Sequence, residues 1–465
     1  MWKMIAVLVS LMLTSTATAQ SHDRTDRIDA LIDQALPASG APGLAYAIVD
    51  ANGSTVGAHG VTRLGGDIAI TPDTPFPLGS ISKSLTALAV IQLVEAGHLD
   101  LDDRISAHLE VFQDQPGGAI TIRQLLSHTS GYSTFQGNRA HTGNEHDLVG
   151  QLARTRPALP SGQHWQYSNA NYAILGRLIE TLSGLEFPVY IQNEVLAPAG
   201  MSQSFIIAGE DARDVAIGHT PWFTGKRAVP EGGLSDGMAA AGGVMASASD
   251  VARYLEIMLN GEDDLIRADN KVLMLQPASD ASPFYGLGWF IDPATERAYH
   301  TGLVPGSEAV AILSPSDQRG AVVLVNTNSG MGYGLTADLL WGISTLGLGE
   351  AYQPIQTQLA TQLFFLMLMA LPLFFLAAIA GAWFLRKGLR AKSGFSGLFS
   401  LWFPLLATTA MSWVFLVLLP QLFGTPLGTL GLYQPDMVIL LIAGSVSGLA
   451  LAVIRLGLYY VFPRV

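Results

Sequence analysis

Residues 360–465 contain one acidic residue, Asp436, and three long apolar runs. The first extends from Leu363 to Leu385, the second from Leu398 to Leu419, and the third from Met437 to about Leu456. At 1.5 Å rise per residue, each is long enough for the ~30 Å hydrocarbon layer of a bilayer. The sequence therefore predicts a C-terminal membrane anchor of three helices, about 363–385, 398–419 and 437–456. Arg386, Lys387, Arg390 and Lys392 follow the first run, and Arg455 and Arg464 close the third. Basic loops stay on the cytoplasmic side, which turns the preceding residues outward. The first two runs hold no ionisable residue, which argues against a transport pathway. Gly444 to Gly448 form a small-xxx-small pattern, readable either as a helix-packing seam or as ordinary glycine content in a spanning helix.

The rest of the chain has the opposite character. Over all 465 residues the formal net charge is −12, with 49% hydrophobic and 13% charged residues, against roughly 25% charged in a soluble domain. Setting aside 1–19 and 360–465 leaves 18 basic and 36 acidic residues, net −18. Such a body repels phosphates, so no nucleic-acid partner is expected. The chain has no cysteine, which excludes disulfides, thiol catalysis and cysteine-based zinc sites. Residues 1–19 read as a secretory signal: Lys3, an apolar run from Met4 to Leu13, and the cleavage site Ala17-Thr18-Ala19. The expected address is a cell membrane, multi-pass, with an extracytoplasmic domain spanning 20–350. That domain carries strand-like runs near both ends (Leu44–Val49, Ala309–Leu313, Ala321–Val325) and helical patterns at 80–97, 171–183 and 249–259. Strands at both ends around a helical centre predict an α+β body whose sheet pairs N-terminal with C-terminal segments.

Three short motifs bear on chemistry. Ser80-Ile81-Ser82-Lys83 opens the first long helix, and no other lysine in the chain has a serine three residues before it. Ser80 falls at the helix N-terminus, where free N–H groups favour negative charge, and Lys83 lies one turn on along the same face. The pair reads either as a serine cap with a solvated lysine, or as a nucleophile with a base whose pKa burial has lowered from about 10.4. Tyr167-Ser168-Asn169 is the only Y-x-N among 13 tyrosines; a phenol can shuttle protons and an amide can orient a lysine or a carbonyl. His300-Thr301-Gly302 precedes a strand pattern, where the glycine would let a substrate backbone lie close.

In this order the three motifs resemble the serine β-lactamase and penicillin-binding-protein superfamily, in its class C-like, esterase-like branch. Further phrases carry the likeness: Leu125-Leu126-Ser127-His128-Thr129-Ser130-Gly131, Gly242-Gly243 with Met245-Ala246-Ser247, Tyr285-Gly286-Leu287-Gly288-Trp289, and Pro305-Gly306. The resemblance covers about residues 28–345. It implies a β-lactamase/transpeptidase-like fold, an antiparallel sheet flanked by helices with a mainly helical subdomain. It also implies that Ser80 is the acylated nucleophile, Lys83 its activating partner and Tyr167 the proton shuttle. Asn169 would orient Lys83 and the substrate amide, His300, Thr301, Gly302 and Leu303 would line the substrate, and the N–H groups of Ser80 and Leu303 would form the oxyanion hole. Either Lys83 or Tyr167 can serve as the base. No cofactor or metal is expected.

Other matches are set aside. His141-Thr142-Gly143 precedes Tyr167 and opens no strand. Gly233-Leu234-Ser235-Asp236-Gly237 matches the nucleophile elbow but lacks the strand and helix that motif needs. His128 and His219 read as structural. Many relatives in the superfamily carry lysine where His300 stands, so a neutral imidazole here is expected to weaken recognition of a carboxylate. Bulky Tyr299 is expected to narrow that end of the cleft. These readings favour hydrolysis of an ester or a D-amino-acid peptide, drawn from small molecules or peptidoglycan, over efficient β-lactam turnover. A slow-acylating penicillin sensor or a non-catalytic scaffold is the alternative.

Overall fold

The computed structural model describes residues 23–138, 147–206, 215–230, 236–331, 333–355 and 359–461. The signal-like stretch 1–19, the His141-Thr142-Gly143 triplet and most of the Gly233–Gly237 loop lie outside them.

Six strands build one antiparallel sheet. They are β1 (Gly43–Asp50), β2 (Gly53–Gly60), β3 (Phe290–Ile291), β4 (Ala298–Val304), β5 (Ser307–Ser314) and β6 (Arg319–Val325), in the order β2-β1-β6-β5-β4-β3. As expected, the N-terminal strand pairs with the C-terminal one, Leu44 opposite Val325 and Val49 opposite Gly320. The strands sort their side chains strictly by parity, because successive Cβ atoms point to opposite faces. Leu44, Tyr46 and Ile48 join Val310, Val323 and Val325 on one face, under α1 (23–39) and a helix at Ile343–Gly347. Ala45, Ala47 and Val49 join Ala309, Ala311, Val322 and Leu324 on the other, facing the helical region. Both faces are covered, so β1, β5 and β6 are buried nearly throughout.

Helix α2 (Ser82–Glu95) runs through the interior of that helical region. Eleven of its 14 residues are buried, so a lysine in its first turn is desolvated on every side. Helix α3 (Asn169–Ser183) packs against it and ends at Gly184 in the left-handed conformation (φ 73°). Helix α4 (Ala248–Leu259) lies on β1 and β6. This is the β-lactamase/transpeptidase-like architecture: an antiparallel sheet with helices on both faces and a helical subdomain beside it.

Among the described residues, three further helices are long and apolar enough to cross a membrane: α5 (Leu359–Phe384), α6 (Gly394–Leu422) and α8 (Pro435–Tyr460). Each starts some two to four residues before the apolar run that predicts it. Helix α8 lies against both others. Gly444 comes close to Leu371 and Phe415, and Gly448 meets Phe375, Thr408 and Met411, so these small residues stand at the packing seam. A short helix, α7 (Leu427–Tyr433), joins α6 to α8. It has no counterpart in the sequence reading, since seven uncharged residues with two glycines leave no helical signature.

The tail is fastened to the body. The Phe223 N–H donates to Asp436 Oδ2 (2.8 Å), Gln434 Nε2 to the Ser329 carbonyl (2.7 Å), and Asn138 Nδ2 to the Gly424 carbonyl (3.1 Å). An apolar cluster of Phe365, Leu368, Leu430, Met437 and Leu441 packs with Phe223, Met331 and Tyr333 of the body.

Candidate active site

Ser80 sits in a 3₁₀ turn, Gly79–Ile81, that leads directly into α2. Gly79 has φ +53°, and a Cβ there would stand 2.7 Å from the Leu303 amide nitrogen. Gly302 is tighter still: its Cβ would come within 2.0 Å of the Leu78 carbonyl oxygen. Glycine at 302 lets β4 lie against the nucleophile turn. The contact brings the Leu303 amide beside Ser80. On the other side, the Leu78 N–H donates to the Val244 carbonyl (2.9 Å) and the Val244 N–H to Ser82 Oγ (3.1 Å). The turn is therefore held from two directions.

Lys83 is fully buried. Its Nζ lies 3.0 Å from Ser80 Oγ and donates to the Ala241 carbonyl at 2.6 Å. The rings of Tyr167 and Tyr172 stand 5.0 and 5.5 Å from it. Burial holds its pKa well below the usual lysine value and favours the neutral amine. Tyr167 hydrogen-bonds to the Ser80 side chain; burial pushes its phenol far above the usual range, and that bond only partly offsets the rise. The solvated-lysine reading of S-x-x-K does not hold, because α2 is an interior helix.

Asn169 opens α3 and donates from Nδ2 to Asn138 Oδ1 (3.1 Å). The Ala241 carbonyl supplies a short bond that fixes Lys83. His300 is buried at 1% exposure. Its Nδ1 donates to the Thr301 carbonyl (2.8 Å), and Tyr285 Oη–H donates to Nε2 (3.1 Å). Both bonds suit a neutral imidazole. Burial, reinforced by Lys83, lowers its pKa to about 3. Tyr299 does not narrow the cleft. Alternation along β4 turns it to the opposite face from His300, where it stacks on Phe290 (5.4 Å between ring centres) and meets Trp341 edge-on (5.9 Å).

His128, expected to be structural, holds the segment that carries Tyr167. It adopts φ +60° and is fully buried. Its Nδ1 accepts from Asn171 Nδ2 (2.9 Å) and the Ser168 N–H (3.2 Å), its carbonyl accepts from the Gln166 N–H, and its ring lies 4.3 Å from that of Tyr167. Sequence reasoning quoted the phrases containing His128 and Tyr285 but gave neither a place beside the site. His219 lies elsewhere, donating from Nδ1 to the Asn326 carbonyl and accepting from the Leu64 N–H.

Ser80, Tyr167, Asn169, His300, Thr301 and Leu303 all line one cavity of about 670 Å³, with Lys83 and Gly302 behind its wall. The cavity's far wall comes from the tail: Thr361, Phe423, Leu430, Tyr433, Gln434 and Met437.

A sequence model described as Beta-lactamase matches residues 28–342, more than half of the chain. The chain belongs to the Beta-lactamase family. Among curated proteins, the chain is similar to protein flp of Staphylococcus aureus (strain NCTC 8325 / PS 47). The two are 28% identical over 330 residues, covering 66% of this chain and 64% of flp; the chain thus spans less than two thirds of that relative. A solved structure, the octameric penicillin-binding protein homologue from Pyrococcus abyssi, has a TM-score of 0.60 and 25% identity over 70% of this chain and 78% of that one. EstCE1, described as a hydrolase with promiscuous acyltransferase activity, shares the fold with a TM-score of 0.62 and 21% identity, over 71% of this chain and 100% of its own.

Proposed function

We propose that this protein is a membrane-anchored, outward-facing serine hydrolase that cleaves an ester or amide bond through an acyl-enzyme on Ser80. The observation that carries this reading is the buried Lys83 amine 3.0 Å from Ser80 Oγ. Neutral Lys83 takes the Ser80 proton as Oγ attacks the substrate carbonyl carbon, and the N–H groups of Ser80 and Leu303 receive the oxyanion. When the carbonyl reforms, the bond to the leaving alcohol or amine breaks, and that group takes a proton from Tyr167, which Lys83 replenishes. Water then adds to the acyl carbon by the same relay and frees Ser80. Both pKa directions support Lys83 as the base and Tyr167 as the acid. Because the neutral amine is the working form, kcat/KM falls as the pH drops and Lys83 takes up a proton.

The substrate preference follows from the walls. Among the described residues, no side chain lining the cavity is lysine or arginine, while Glu308 is. With His300 neutral, nothing in that set attracts a carboxylate as a fixed cation would. A carboxylic ester or D-amino-acid peptide suits this wall better than a penicillin. The orientation draws support from the far end of the tail, where Arg390 bonds to the Leu458 carbonyl and Arg455 to the Ser400 carbonyl. This basic end lies opposite the body, as it does when the body faces outward.

The test is turnover of 4-nitrophenyl acetate by full-length protein. Ser80→Ala is expected to lower it by about 10⁴-fold or more. Turnover that survives the substitution contradicts the assignment. A stable penicillin adduct without turnover points to the sensor alternative.

A further inference from the structure

On the reading of Ser80 as an acylated nucleophile, we infer that the substrate is an amphiphile. It reaches the site from the headgroup layer with a long apolar chain lodged between the body and the tail helices.

The cavity that holds Ser80 and Tyr167 is closed on its far side by residues from three separate tail segments. Thr361 belongs to the first turn of α5, Met437 to the first turn of α8, and Phe423 follows the last residue of α6. These are the ends of all three spanning helices on one side, so they share one depth. A 26-residue helix is about 39 Å long and exceeds the ~30 Å hydrocarbon layer by about 9 Å, which sets its terminal turns at headgroup level. The cavity therefore lies where an ester or amide joins a polar head to an apolar chain.

Its tail-side wall suits such a chain. Leu430, Met437 and Phe423 line it, and Leu430 and Met437 continue into the apolar cluster with Phe365 and Leu441. Leu359, Leu363 and Leu422 stand 55–72% exposed at the same helix ends, which gives the wall an apolar border on the bilayer side. Seven charge-free residues, Leu427–Tyr433, form the helix over the cleft where a soluble enzyme would face water. A body of net −18 that folds over so uncharged a cover is equipped for a bilayer-borne substrate. Each methylene buried there is worth roughly a fourfold gain in kcat/KM.

The experiment uses full-length protein in phosphatidylcholine vesicles, with 4-nitrophenyl acetate and 4-nitrophenyl laurate as probes. Leu430→Trp, which fills the tail-side wall, is expected to lower the laurate-to-acetate ratio of kcat/KM about tenfold relative to the unchanged protein. Comparing ratios cancels the partitioning of each ester into the vesicles. Met437→Trp carries the same test where Leu430→Trp does not fold. A ratio that falls less than threefold in the folded variants overturns the inference and leaves the hydrolase reading intact. Absence of turnover of either ester by the unchanged protein overturns both.

Discussion

The body and the tail satisfy the same backbone chemistry in different ways. In the tail, three helices bond almost wholly within themselves, and small residues such as Gly444 and Gly448 let them pack closely. In the body, an antiparallel sheet bonds between strands, and its loops depend on buried side chains. His128, Asn171 and Tyr285 all serve in this way. A self-contained helix tolerates local change, whereas a site assembled from distant loops does not. The candidate site stands where the two meet: its chemistry comes from the body and one of its walls from the tail.

Glycine substitutions sharpen that difference most. Gly302→Ala places a methyl 2.0 Å from the Leu78 carbonyl and must push β4 off the nucleophile turn. About a 10²-fold loss in ester kcat/KM is expected, as for a displacement of about 1 Å at a reacting centre. Gly381→Ala, within α5, meets nothing within 4 Å, and its effect on turnover should not exceed twofold. Equal effects at the two sites would erase the contrast. Far-UV circular dichroism is the check that both variants fold.

A smaller effect is expected at His300. His300→Lys restores a cation at the substrate wall, and labelling by a fluorescent penicillin should accelerate about tenfold. An unchanged rate would mean that the neutral imidazole does not limit carboxylate recognition. The smallest effect concerns the fastening between the regions. Asp436→Asn weakens the bond from the Phe223 N–H and is expected to cost about 1–2 kcal/mol, because a charged acceptor becomes neutral. Thermal unfolding in detergent reads that loss, and an unchanged midpoint would show that the strap carries little of the attachment.

Much of the body was legible because its signals are local. Short, nearly continuous apolar runs mark β1, β5 and β6, and helical spacing marks α2 and α3. The order of Ser80-Lys83, Tyr167-Asn169 and His300-Gly302 points to one site without reference to coordinates. The contacts that escaped the sequence are those that no local pattern carries. Ala241 reaches Lys83 across 158 positions of sequence, and Asn138 meets Gly424 across 286. Tyr299 is a different case, since strand alternation already turns it away from His300. The tail read as three spanning helices from composition alone, but nothing in composition shows that the segment between α6 and α8 folds back over Ser80.

The most direct measurement is peptide mass spectrometry of the full-length protein after reaction with an alkyl fluorophosphonate. The expected adduct lies on Ser80, is absent in Ser80→Ala, and forms more slowly in Lys83→Ala as the serine loses its base. An adduct on another serine, or none on folded protein, would contradict Ser80 as the nucleophile.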